Sequence, residues 1–122
     1  MIQPQSIVKI ADNSGAKIGR VFKVLGGSKK RYAQIGDIVV LSVQKAEPRK
    51  SVKKKDVLYA VVARQKFPFR RKDGSYVRFD ENAVVIVDKT KHEPIAGRVF
   101  GPIPRELADG FQQIISLAPE VV

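Results

Sequence analysis

Apolar and polar residues alternate in short bursts along most of this chain. Ile7-Val8-Lys9-Ile10 predicts a first strand, ended by Asp12-Asn13-Ser14-Gly15, a cluster of turn formers. Lys17 to Leu25 alternates in part, which predicts a second strand with Ile18, Arg20, Phe22 and Val24 on one face and a stop at Gly26-Gly27. A turn is expected there, with at least one of the two glycines at positive φ. Asp37 to Val43 and Val57 to Ala63 are rich in β-branched residues, as buried strands are. Tyr76-Val77-Arg78-Phe79 and Ala83 to Val87 predict two more strands, with Asp73-Gly74 as a hairpin turn before them. Such short strands, punctuated by Gly, Pro and Asx, predict a small barrel or a sandwich, and the pattern alone does not separate the two.

After Asp88 the pattern changes, and Pro94, Pro102 and Pro104 break up the chain. Arg105 to Asp109 predicts one or two helical turns, with Pro104 at the first position and Gly110 closing them. Ile114-Ile115-Ser116-Leu117-Ala118 is too short to classify. There is no internal repeat, low-complexity segment or linker. A chain of 122 residues with 43% hydrophobic content therefore reads as one domain, residues 1–122, able to bury a real core.

Charge changes the picture more than composition does. Lys and Arg number 23 against 12 Asp and Glu, a formal net charge of +11. Residues 1–78 hold 19 of the cations and 5 of the acids, whereas residues 79–122 hold 4 and 7. The first stretch is thus net +14 and the second net −3. The cations cluster at Lys29-Lys30-Arg31, at Arg49-Lys50 with Lys53-Lys54-Lys55, and at Lys66 with Arg70-Arg71-Lys72, between the predicted strands. Like charges massed in one small domain repel one another, a cost that an anionic partner relieves. Ordinary solvation needs only interspersed signs. A polyanion is therefore the expected partner, nucleic acid ahead of a membrane surface. The near-neutral segment from Gly97 to Ser116 suits a protein partner better than burial in RNA, with Arg98 as the expected anchor. The competing role for Arg98 is an ion pair with Glu106 or Asp109 on its own surface.

Candidate catalytic chemistry is sparse. Cys is absent, which excludes disulfides, thiolate metal sites and cysteine nucleophiles. The one histidine, His92, sits in the polar turn Lys91-His92-Glu93-Pro94, and neither Ser14 nor Ser28 lies in a nucleophile elbow. Gly26-Gly27-Ser28-Lys29-Lys30 lacks the spacing of a phosphate-binding loop, and no long helix follows it. The acids fall mostly at strand ends, where capping a turn explains them, and none clusters with His at metal-ligand spacing. No enzyme, cofactor, metal or small-molecule substrate is expected. No apolar run approaches the ~18 residues of a membrane span. The opening MIQPQSIVKIADNSG lacks the features of a signal peptide, so an intracellular protein is expected.

Aromatic residues make up only 7% of the chain, and Phe22, Phe79 and Phe100 fall where core packing explains them. Tyr32 and Phe67-Pro68-Phe69, flanked by basic residues, are better placed to meet RNA. Recognition of a folded RNA by shape and backbone is then the expected mode, with Lys and Arg loops reaching phosphates. The candidate contact residues are Lys23, Lys29, Lys30, Arg31, Tyr32, Arg49, Lys50, Lys53, Lys54, Lys55, Arg64, Lys66, Arg70, Arg71, Lys72 and Arg78. On these grounds alone a free-standing RNA chaperone or regulator fits as well as a structural component of a ribonucleoprotein. A hydrolase built on His92 is a distant third.

Specific strings narrow this. Ala11-Asp12-Asn13-Ser14-Gly15-Ala16, Val24-Leu25-Gly26-Gly27-Ser28, Arg31-Tyr32-Ala33 and Gly36-Asp37 stand in order. Asp73-Gly74-Ser75, Arg78-Phe79-Asp80 with Asn82-Ala83, Phe100-Gly101-Pro102 with Arg105-Glu106-Leu107, and Ser116-Leu117-Ala118-Pro119-Glu120-Val121 follow. From Met1 to the C-terminus the chain closely resembles the L-fourteen family of large-subunit ribosomal proteins, in its bacterial or organellar form. The resemblance implies an all-β fold: a small closed five-stranded β-barrel with a projecting β-ribbon and a C-terminal loop region with short helices. It also implies a structural constituent of the ribosome that binds large-subunit rRNA. Contact with ribosomal protein L-nineteen and a face meeting small-subunit rRNA are implied with it. In bacteria and organelles the family also docks the ribosome-silencing factor, and Gly97, Arg98, Gln113 and Ser116 fall on that face. The ribosome in the cytoplasm, or in an organelle interior, is the implied location. This chain departs from the family at a few positions. Lys55 replaces a usual glycine, Ala63 a branched aliphatic, and Phe67-Pro68-Phe69 is unusually apolar. Gly97 and Gln113 stand where bacterial members often carry Thr and Lys.

Overall fold

The computed structural model describes residues 2–26, 31–48, 54–91, 93–108 and 110–122. Its first strand, β1 (Ile7–Ile10), alternates as the sequence predicts, with Val8 and Ile10 buried and Ile7 and Lys9 exposed. β2 (Ala16–Val24) runs back antiparallel to it, with Val8 opposite Gly19. β3 (Ile38–Ala46) pairs with β2, and β4 (Val57–Arg64) pairs with β3. β5 (Phe69–Arg70) and β6 (Tyr76–Val77) form a separate two-stranded ribbon around the Asp73-Gly74 turn. This ribbon is shorter than the four-residue strand expected from Tyr76 to Phe79. β7 (Ala83–Val87) then joins β4 on one side and runs parallel to β1 on the other, with Lys9 opposite Ala83. That last pairing closes a five-stranded barrel of order β1-β2-β3-β4-β7 and leaves out the sandwich.

The C-terminal segment packs on the outside. β8 (Pro102–Ile103) pairs with β9 (Glu120–Val121), and between them lie a 3-10 turn (Arg105–Ala108) and a short helix, α1 (Gln112–Leu117). Pro104 precedes the 3-10 turn rather than opening it, and its carbonyl accepts the Leu107 N–H. Gly110 closes the turn at φ 99°.

Two apolar clusters explain why the strands differ in pattern. Inside the barrel, Val8, Ile10, Val21, Val39, Leu41, Val43, Ala60, Val62, Val84 and Ile86 pack together. Ile2 and Ala33 join them by exchanging backbone hydrogen bonds of 2.9 and 2.6 Å. The second cluster lies against the outer face of β4 and β7, where Val61, Ala63, Ala83, Val85 and Val87 meet Val99, Ile103, Leu107 and Ile114 of the C-terminal segment. Strands covered on both faces read as continuous apolar runs, and strands covered on one face alternate.

Two expectations are corrected here. Ile18, Arg20, Phe22 and Val24 do not share a face, because β2 carries a register shift between Val21 and Lys23. Ile18, Arg20 and Phe22 stay together on the outer face, with Phe22 44% exposed rather than in the core, and the extra residue returns only Val24 to the interior. Phe100, also expected in the core, is 46% exposed. Gly26 does stand at positive φ, at 118°, while Gly27 lies outside the described residues.

Candidate nucleic-acid interface

The strand order places the expected cations at different depths. Lys23, Arg31, Lys54, Lys55, Lys66, Arg70, Lys72 and Arg78 are exposed, and Tyr32 beside Arg31 is exposed as well. Lys29, Lys30, Arg49, Lys50 and Lys53 lie outside the described residues, as do Ser28, His92 and Asp109. Lys55 holds a left-handed backbone, φ 74°, in the turn between β3 and β4. That conformation is one a glycine adopts without strain and a lysine adopts only at a cost.

Arg64 and Arg71 differ from expectation. Arg64, at the end of β4, is only 5% exposed. Its Nη1 donates to the carbonyls of Phe100 at 2.9 Å and Pro102 at 3.2 Å, and its Nη2 donates to Glu81 at 3.1 Å. Burial pulls the guanidinium below its usual pKa and Glu81 draws it back up. Gly101 arches over this group at φ 81°, and a Cβ there would collide with Arg64 Nη1. Arg71 makes a bidentate pair with Glu106, at 2.7 and 3.3 Å, and donates to the Val122 carbonyl. It also lies 5.9 Å from the Phe69 ring centroid. Both arginines fasten the C-terminal segment to the barrel and the ribbon, so neither guanidinium is presented to a partner.

Other cations escaped the sequence reading because they sit within strands, where alternation hides them between apolar neighbours. Lys9, Lys17, Arg20 and Lys45 are exposed on β1, β2 and β3. With Lys66, three of them, Lys9, Lys17 and Lys45, border an open groove of about 950 Å³ floored by Ile7, Ile10, Ile18 and Phe100. Glu81 pairs with Lys9 at 3.4 Å and Glu47 with Lys17 at 4.0 Å along its edge.

Asp12 also does more than cap a turn. Its Oδ1 accepts the Ser14 N–H at 3.1 Å and the Ser14 hydroxyl at 2.6 Å, and its Oδ2 accepts the Ile86 N–H of β7 at 2.9 Å. The carboxyl is buried, and desolvation raises its pKa even though these hydrogen bonds pull the other way. It pins the end of β1 to the closing strand.

On the C-terminal side, Gly97, Arg98, Gln113 and Ser116 are all exposed. The segment bearing Arg98 is laid along residues 11–13. Asn13 N–H donates to the Arg98 carbonyl at 3.2 Å and Phe100 N–H to the Ala11 carbonyl at 2.6 Å. Glu106 is occupied by Arg71, and the Arg98 guanidinium instead lies 5.3 Å from the Phe100 ring centroid. Gln113 and Ser116 meet on α1, where the Ser116 hydroxyl donates to the Gln113 carbonyl at 2.7 Å. Val99 and Ile114, neighbours of these two groups in the chain, are buried in one cluster.

Among the described residues no group of three or more His, Asp or Glu side chains is arranged to hold a metal ion, and no helix is long and apolar enough to cross a membrane. The family model described as ribosomal protein L14p/L23e matches residues 1–122, the whole chain. The family is a structural ribosomal one and not an enzyme family, so the barrel, its cation-bearing surface and its C-terminal cover are those of a ribosomal constituent. This chain belongs to the ribosomal protein L14p/L23e family.

Proposed function

We propose that this ribosomal constituent binds large-subunit rRNA through the cations of its first 78 residues and presents its C-terminal face across the subunit interface. The observation that carries this reading is the sorting of charge on the folded surface. Arg31, Lys54, Lys55, Lys66, Arg70, Lys72 and Arg78 are all exposed, whereas the less basic C-terminal segment covers the apolar outer face of β4 and β7. Phosphate contacts of this kind release counterions, so each one lost lowers the log–log salt slope by roughly 0.7–0.9. Replacing Lys53, Lys54 and Lys55 together with Ala is expected to reduce that slope in binding to a large-subunit rRNA transcript. An unchanged slope removes the cluster from the interface.

For the C-terminal face the proposed partners are small-subunit rRNA, ribosomal protein L-nineteen and, where it occurs, the ribosome-silencing factor. Arg98 supports this assignment, because it is exposed, fixed by its backbone and stacked on Phe100 rather than spent on Glu106. Arg98→Ala is expected to enter large subunits normally and to weaken subunit joining or silencing-factor binding by roughly 1.5–3 kcal/mol, the worth of a charge-assisted hydrogen bond. Failure of the variant to enter the large subunit overturns the assignment. Co-migration of the wild-type protein with large subunits through a high-salt gradient tests the structural role against that of a free RNA chaperone.

A further inference from the structure

We propose that the outer face of the β5–β6 ribbon is a stacking platform for an unpaired RNA base, with Tyr76 as the ring and Arg70 as the cation beside it. The proposal rests on the rRNA-binding reading above and gives it a second mode, contact with a base face rather than with phosphate.

The geometry begins with the ribbon's register. Phe69 pairs with Val77 and Arg70 with Tyr76. Side chains alternate across a strand, so Arg70 and Tyr76 share one face and Phe69 and Val77 the other. Phe69 and Val77 are half-buried, whereas Arg70 and Tyr76 are exposed. Tyr76 is 69% exposed, more than any other large apolar side chain among the described residues, and Phe67 at the ribbon's root is 52% exposed. Single exposed apolar residues are normal on a protein surface. Two aromatics on one small element, with Lys66, Arg70, Lys72 and Arg78 around them, form a composite feature instead.

A two-stranded ribbon is unstable alone, and this one is held from outside. The Gln65 carboxamide donates to the Phe67 carbonyl at 2.9 Å, and Lys66 N–H donates to Asn82 Oδ1 at 2.9 Å. Phe79 N–H donates to the Gln65 carbonyl at 3.0 Å, and Arg71 is clamped by Glu106. The rings are therefore presented by a fixed base, which lowers the ordering cost of binding. Charge selects the occupant. The acid in the turn, Asp73, is engaged by the Ser75 N–H at 3.0 Å and hydroxyl at 2.6 Å. Protein interfaces are depleted in Lys, whereas aromatic rings interleaved with Lys and Arg are how single-stranded nucleic acid is held. An arginine next to the ring can stack on the same base or reach its phosphate.

The chain contains no Trp, so Tyr76→Trp places a unique fluorophore on the platform. The probes are a mixed-sequence single-stranded oligoribonucleotide, its duplex with the complement, and a large-subunit rRNA transcript. Stacking predicts that the Trp emission is quenched by the single strand and not by the duplex. Tyr76→Leu is expected to weaken single-strand binding about 5- to 150-fold, the range of one aromatic–base stack, with the salt slope unchanged. Tyr76→Phe should bind as the wild type does. Unquenched emission with Tyr76→Leu binding normally, while the transcript still binds with a steep salt slope, overturns the platform and leaves the rRNA reading intact. Absence of binding by the wild-type protein to all three RNAs at low salt overturns both. Loss of a ribosomal protein contact in Tyr76→Leu with RNA affinity unchanged overturns the platform in favour of a protein site.

Discussion

The barrel wall formed by β1 and β2 and the wall formed by β4 and β7 use the same strand geometry and share one interior, yet they face different surroundings. β1 and β2 carry Ile7, Lys9, Lys17, Arg20 and Lys23 outward into solvent. β7 buries all five of its residues. Val84 and Ile86 fill the interior, while Ala83, Val85 and Val87 are covered from outside by Ile103, Leu107 and Ile114. The difference teaches that the sequence's charge asymmetry is an architectural one. The exteriors of β1 and β2 are left open with their cations, and the less basic tail is consumed in covering β4 and β7, which present no exposed cation.

The sharpest way to break this comparison is to place a charge on each wall. Val85→Lys buries an unpaired ammonium beneath the C-terminal cover and is expected to cost more than about 4 kcal/mol or to prevent folding. Val57→Lys, at a position 59% exposed on the start of β4, is expected to stay within about 0.5 kcal/mol of wild type. Chemical denaturation of the two variants reads the contrast, and equal effects would mean that the cover contributes no burial.

The fastening of the cover comes next. Arg64→Ala leaves the Phe100 and Pro102 carbonyls and Glu81 without their shared donor and is expected to destabilise by about 3 kcal/mol. Gly101→Ala should act through the same contact, since its Cβ would displace the guanidinium. If the two effects simply add in the double variant, the proposed shared contact is wrong.

Asp12 sharpens the comparison through pH. Its folded-state pKa is raised, so protonation favours the folded protein. The contribution is full below the unfolded-state pKa and is lost as pH rises through the folded value, by about 1.4 kcal/mol for each unit of separation. Relative to Asp12→Asn, the wild type should therefore lose stability across that acidic window as pH increases. A difference between the two that is flat with pH removes Asp12 as the titrating group.

The smallest effect is expected at Lys55. Lys55→Gly relieves a left-handed backbone and should gain up to about 1 kcal/mol, partly offset by the greater freedom of glycine in the unfolded chain. If Lys55 also meets phosphate, the same variant lowers the salt slope, so thermal unfolding and RNA titration read its two roles separately.

Much of this architecture is legible in the sequence because β-branched runs and Asx-Gly turns act locally. Ile7–Ile10 and Ala83–Val87 have the bounds their patterns predict, and Asp73-Gly74 is the turn it is expected to be. Expectation fails where a distant residue decides. The phase at the end of β2 turns on one inserted residue, which alternation cannot register beforehand and which carries Val24 into the interior, away from the face of Arg20 and Phe22. Arg64 reads as one more cation until the chain lays Phe100 and Pro102 over it. α1 is six residues long, too short for a helical period to show. Choosing a barrel over a sandwich requires the β1–β7 pairing, which no local pattern encodes.

That pairing has a consequence for how the protein is made. The bond from Ile86 N–H to the Asp12 carboxylate spans 74 positions of the chain. At roughly 5–20 residues per second, a translating ribosome needs about 4–15 s between delivering one partner and the other. During that interval β1 has β2 to pair with but no closing strand, and the most basic part of the chain emerges first. Barrel closure is therefore a late, non-local step, slowed by the loop entropy of its long separation. The most basic part of the chain is therefore synthesised before the fold that will present its cations is complete.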